Sequence, residues 1–117
     1  MELKMTQNRN KLIELFIGNI ANAILHKILE KAISDEGLLN YYKKEEITSR
    51  NVAVIYRGKI NPKDSSLPEM DIDYIKEKVK KKVYAELMIR ISKGYREINL
   101  DLIDQYLEEL LNETKVI

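Results

Sequence analysis

The stretch Asn10 to Ile33 constrains this chain most, because its apolar residues recur at helical spacing. Ile13, Phe16, Ile17, Ile20, Ile24 and Ile28 form one stripe, and Leu12, Ala23 and Leu25 widen it. Asn19, Asn22 and His26 gather on a narrow polar side. As a helix this stretch is roughly 36 Å long, the span of a small domain. A rod apolar over so much of its circumference has to sit centrally or pack on several neighbours. Gly18 and Ala21 would let another helix approach closely.

Apolar length also raises the question of a membrane. Lys4, Arg9 and Lys11 precede the run, and the Ala21-Asn22-Ala23 triplet imitates a small-residue cleavage site. Against both readings, Glu14 stands inside the run, and Asn19, Asn22, His26 and Lys27 interrupt it. A bilayer core needs about 20 predominantly apolar residues. The expectation is a cytoplasmic protein with no membrane partner.

A chain of 117 residues suits a single helical domain over 1–117 and is too short for two independent cores. Its formal charge of +1 provides no global field for capturing nucleic acid or anionic lipid, so any such role must come from a local patch. With no cysteine, disulfides, thiolate metal sites and cysteine nucleophiles are excluded. Abundant Lys, Glu and Ile beside only two Gln (Gln7, Gln105) make a thermophile-like composition.

Beyond the first helix, Ser34 to Glu46 reads as a break followed by a short helical turn carrying Leu38, Leu39, Tyr41 and Tyr42. Thr48 or Ser49 can then cap a new helix whose inner face is Val52, Ile55 and Tyr56. The β-branched Val52, Val54 and Ile55 make a strand the competing reading over Glu45–Arg57. Residues 57–71 hold both prolines and a polar cluster, so they read as the loop between two helical halves, with Asp71 as the next cap. Ile72 to Lys93 carries the stripe Ile72, Ile75, Val79, Val83, Leu87, Ile91, with Tyr84 and Met88 beside it, and Gly94 is its stop. Asn99 caps a last helix, where Ile103, Tyr106, Leu107, Leu110 and Leu111 fit one helical face.

The two halves share an order: long helix, turn, shorter capped helix. Glu46-Ile47 and Glu97-Ile98 each place an isoleucine just before the expected cap, where it can staple the chain into the helix. The predicted class is therefore all-α, with four to five helices packed as paired hairpins, the second pair resembling a repeat of the first. A hairpin cannot bury its apolar face alone, and a second one supplies the missing surface.

No constellation points to catalysis. His26 is the sole histidine and has no serine nucleophile near it in sequence. The Arg followed within a few residues by His that one helical ribonuclease domain uses is absent. Glu108, Glu109 and Glu113 read as a solvated acidic face, and no Glu-x-x-His pair of the di-iron type accompanies them. The four glycines are isolated, so no phosphate-cradling loop exists. The prediction is a non-enzyme with no cofactor, metal or small-molecule substrate.

Charge is the strongest remaining pattern. Between Lys76 and Arg96 eight basic residues oppose two acidic ones, and from Glu97 onward six acidic residues oppose Lys115 alone. The bland explanation is ion pairing between neighbouring helices, worth about 0.2–1 kcal/mol per exposed pair. The sharper one lets Lys76, Lys78, Lys80, Lys81 and Lys82 meet a nucleic-acid backbone. The heptapeptide Glu46-Ile-Thr-Ser-Arg-Asn-Val52 is similar to the turn opening the last helix of the histone fold, although it lacks the acid usual before the valine. That resemblance implies helix pairing between halves or chains, with basic residues on DNA phosphates and no base reading.

Self-association is the leading functional expectation. Leu12, Phe16, Ile20, Ile24 and Ile28 would bury the first helix's excess apolar surface on a second chain, giving a homodimer. Tyr41 and Tyr42, beside Lys43 and Lys44, form a further candidate contact, because tyrosine is favoured at interfaces.

Overall fold

The computed structural model describes residues 2–61 and 66–117, with side chains from residue 8 onward. The described residues form four helices and no strand: α1 Glu2–Ala32, α2 Glu36–Ile60, α3 Glu69–Ser92 and α4 Leu102–Glu113. The molecule measures 49 × 23 × 23 Å, elongated along α1.

The central position expected of the first helix is realised. Helix α1 packs against all three others, and α3 also touches α4. Phe16, Ile17, Ile20, Ala23, Ile24, Ile28 and Leu29 have no exposed surface at all. One stretch, Asn8–Ala32, is long and apolar enough to cross a membrane, but 61% of its most apolar window is buried inside the fold.

Helix α2 corrects the sequence reading most. Its start is set by Asp35, whose carboxylate accepts a hydrogen bond from the Leu38 amide at 2.9 Å. From there it runs unbroken to Ile60, so neither the Thr48/Ser49 cap nor the strand alternative is realised. The heptapeptide similar to the histone fold lies in its interior, and the turn that the resemblance implies is absent. Ile47 staples nothing: it is mid-helix and 48% exposed, whereas Ile98 packs against the core outside any helix. The two Glu-Ile segments are thus structurally different. What overrides the local signals is α1, against which Tyr42, Ser49 and Ala53 are buried in one stripe.

The linker is shorter than predicted, because α2 extends to Ile60 and α3 begins at Glu69. Within it, Pro62, Lys63, Asp64 and Ser65 lie outside the described residues. Asp71 is in the first turn of α3, where it pairs with Arg9 of α1; it is not the cap. Helix α3 runs alongside α1 in the same direction, since Tyr74 donates to Glu14 near the start and Lys82 to Arg90 share a groove with Gly18 to His26 further on.

The predicted stop at Gly94 is realised as a Schellman motif. Gly94 has φ +98°, its N–H donates to Ile91, and the Tyr95 N–H donates to Arg90. Asn99 is not the cap of the last helix: α4 begins at Leu102 with Asp101 at the N-cap position, and the Asn99 side chain accepts from the Asp101 N–H at 3.0 Å in the turn that precedes it. All five apolar residues named for α4 are buried.

Helix α4 reaches from α3 across α1 to α2. Asp104 and Glu108 pair with α3, Glu109 with Lys27 of α1, and Glu113 with Arg50 of α2. The chain's end repeats the Schellman device with a non-glycine residue: Lys115 has φ +61°, and the Val116 N–H donates to Leu111. Arg57, expected in a loop, is buried in α2 and donates from Nη2 to the Lys115 carbonyl at 3.0 Å.

Candidate functional site

Three regions were singled out by sequence, and the fold treats them differently. Among the lysines, Lys76 Nζ lies 3.2 Å from Glu108 Oε1 and Lys80 Nζ lies 3.0 Å from Asp104 Oδ1. Lys81 pairs with Glu77 one turn away on α3 at 3.1 Å. The Lys78 ammonium sits 5.7 Å from the centroid of the Tyr74 ring. Lys82 lines the groove beside α1. The cluster is therefore divided between α4, its own helix and the groove.

The proposed self-association stripe on α1 is corrected outright. Phe16, Ile20, Ile24 and Ile28 are at 0% exposure, consumed by α2, α3 and α4, and Leu12 is half-buried against the same core. Of that stripe only part of Leu12 is left uncovered. Large exposed apolar side chains lie instead on the outer surfaces of α2 and α3, among them Ile47, Val54 and Ile55 on one and Tyr84, Met88 and Ile91 on the other.

The tyrosine pair divides. Tyr41 is 54% exposed, while Tyr42 is buried with its ring centroid 5.3 Å from that of His26. Burial, with the Tyr95 hydroxyl beside it, raises the Tyr42 phenol above its ordinary value, and Arg90 partly offsets this. As a partner-binding residue Tyr42 is thus corrected: it joins α1 to α2.

His26 stands on the narrow polar side of α1 and is hydrogen-bonded there. It is buried, and its Nδ1–H donates to the Asn22 carbonyl at 2.8 Å, which fixes the proton on that nitrogen because a carbonyl only accepts. Between α1 and α3 runs an open groove of about 520 Å³ lined by Gly18, Ala21, Asn22 and His26 of α1 and by Lys82, Glu86 and Arg90 of α3, among others. Sequence reasoning missed this gathering, since its members come from separate helices. Its chemistry is limited. Arg90 is paired with Glu86 at 3.2 Å, and the Ser49 hydroxyl already accepts from Asn22. Every buried side-chain nitrogen or oxygen among the described residues has a hydrogen-bond partner, so no buried polar atom waits for a ligand. Nor do three His, Asp or Glu residues among them converge as a metal site.

A further carboxylate pair joins α1 to α2. Burial and a shared hydrogen bond with Glu46 raise the Glu30 carboxyl to about 7. Comparison of the chain with protein-family models, with curated proteins and with solved structures finds no match.

Proposed function

We propose that this protein is a small cytoplasmic helical module that self-associates as a homodimer and is not an enzyme. One observation carries the reading: large apolar side chains stand exposed along the outer faces of α2 and α3, away from the core that α1 organises. Scattered exposed apolar residues are ordinary, but rows of them on a helix mark surfaces that other proteins cover. The chain is read as two helical hairpins, α1–α2 and α3–α4, forming one domain. The dimer contact falls on the outer helices and not on the α1 stripe.

Catalysis has little support in the groove, where the imidazole commits one nitrogen to Asn22 and its ring lies tilted against that of Tyr42. Nucleic-acid binding is less favoured than self-association, because Lys76 and Lys80 already neutralise carboxylates of α4. Sedimentation equilibrium over a micromolar concentration series tests the proposal. A dimer mass is expected, and a monomer at every concentration would refute it.

A further inference from the structure

Helix α3 carries two rows of side chains on opposite sides, one apolar and one mixed. The inner one, Ile75, Val79, Val83 and Leu87, is buried. The outer one is Met70, Tyr74, Glu77, Lys81, Tyr84 and Met88, spaced alternately four and three residues apart. That is the heptad spacing of a coiled-coil seam. All six are exposed, from Met70 at 81% to Tyr84 at 51% and Tyr74 at 40%. Tyr74, a member of this row, donates from its hydroxyl to Glu14 of α1.

The polar centre of this seam says what covers it. Glu77 and Lys81 are neighbours with opposite charge, 3.1 Å apart. A second copy of α3 laid parallel would set Glu77 on Glu77 and Lys81 on Lys81. Laid antiparallel, with the two-fold axis at the level of residue 79, Glu77 meets Lys81 of the other copy and Lys81 meets its Glu77. In that same register Tyr74 meets Tyr84 and Met70 meets Met88. An antiparallel coil places heptad positions against each other in this way, and each contact then occurs twice about the axis. Like charges directly opposed disfavour the parallel alternative.

The geometry points to α3 as the dimerisation helix, paired antiparallel with α3 of a second copy through the outer seam and registered by reciprocal Glu77–Lys81 contacts. This rests on the self-association proposed above and adds the surface, the orientation and the register.

Charge swapping tests it. Glu77→Lys and Lys81→Glu are both exposed substitutions, so each variant keeps its fold, checked by circular dichroism. In sedimentation, each alone should raise the dimer Kd about tenfold or more, and an equimolar mixture should restore dimerisation as a heterodimer. Because the natural chain has no cysteine, orientation can be read by disulfide trapping. Tyr74→Cys mixed with Tyr84→Cys should give a mixed disulfide, with little self-crosslinking of either variant. Wild-type dimerisation unaffected by both charge changes would overturn the seam while leaving self-association intact. Efficient self-crosslinking of Tyr74→Cys would establish the parallel arrangement and overturn the register. A wild-type monomer would remove both this inference and the function it rests on.

Discussion

Asn22 of α1 donates from Nδ2 to the Ser49 hydroxyl of α2 across 2.9 Å. A residue that local sequence marks as a helix start is instead the midpoint of a helix, held there by its neighbour. Ser49→Ala leaves the half-buried Asn22 amide without this acceptor and should cost about 1 kcal/mol in urea unfolding. Helix content should stay unchanged by far-UV circular dichroism. A loss of ellipticity worth several residues would mean that Ser49 does begin a helix.

The α3–α4 ion pairs should be weak. Lys80 and Asp104 have side chains 50% and 74% exposed. A double-mutant cycle with alanine at both positions is expected to return a coupling of about 0.5 kcal/mol, largely screened at high salt. A coupling of several kcal/mol would contradict the solvent exposure of the pair.

Lys115 occupies the left-handed position of a Schellman turn, φ +61°, that Gly94 fills at the end of α3. A Cβ there costs about 1 kcal/mol, so Lys115→Gly should stabilise the protein by about 0.5–1 kcal/mol. The Arg57 contact is retained, because it uses the Lys115 backbone carbonyl. Thermal unfolding checks the sign, and a lowered Tm would refute it.

Stability should fall as pH rises from 4.5 toward 7, the ordinary and folded values for Glu30. Its folded form holds the proton more tightly than the unfolded chain, so its favourable contribution is complete below the lower value and lost through the upper one. Solvent screening limits the effect to about 1 kcal/mol. Glu30→Gln removes the titration: the variant should match wild type near pH 4 and exceed it by about that amount near pH 8. Parallel stability–pH curves for the two proteins would count against it.

Core and surface isoleucines should separate cleanly. Ile24 is fully buried in α1, and Ile47 is half-exposed on α2. Ile24→Ala should cost about 3 kcal/mol through lost burial and a cavity. In protein dilute enough to be monomeric, Ile47→Ala should change stability by less than about 0.5 kcal/mol. Comparable losses at both sites would mean that Ile47 is covered in the folded monomer.

Much of this architecture was legible because its signals are periodic. The α1 stripe, the inner α3 stripe and the α4 face each repeat over several turns, and Gly94 marks a backbone conformation that side chains disfavour. The sequence reading sets Tyr84 and Met88 beside the inner α3 stripe, whereas both are exposed. Single-residue signals misled: Thr48, Ser49 and Asp71 are good caps, and no cap sits at any of them. A side-chain hydrogen bond worth about 1 kcal/mol yields to the burial of a whole helix face against α1.

By itself, then, the sequence determined that the chain is helical, that its first long helix is central, and most of the residues that turn inward on α1, α3 and α4, although Ile91 of the expected α3 stripe is exposed. Only the tertiary structure decided that α2 is continuous, that the α1 stripe is used up within one chain, and that Lys76 and Lys80 face carboxylates of α4. It also decided that His26, Tyr42 and Arg90 meet. Helical periodicity is a property of consecutive residues and can be read along the chain. Which face meets which neighbour depends on how rods far apart in sequence share a limited apolar surface, and local spacing does not record that.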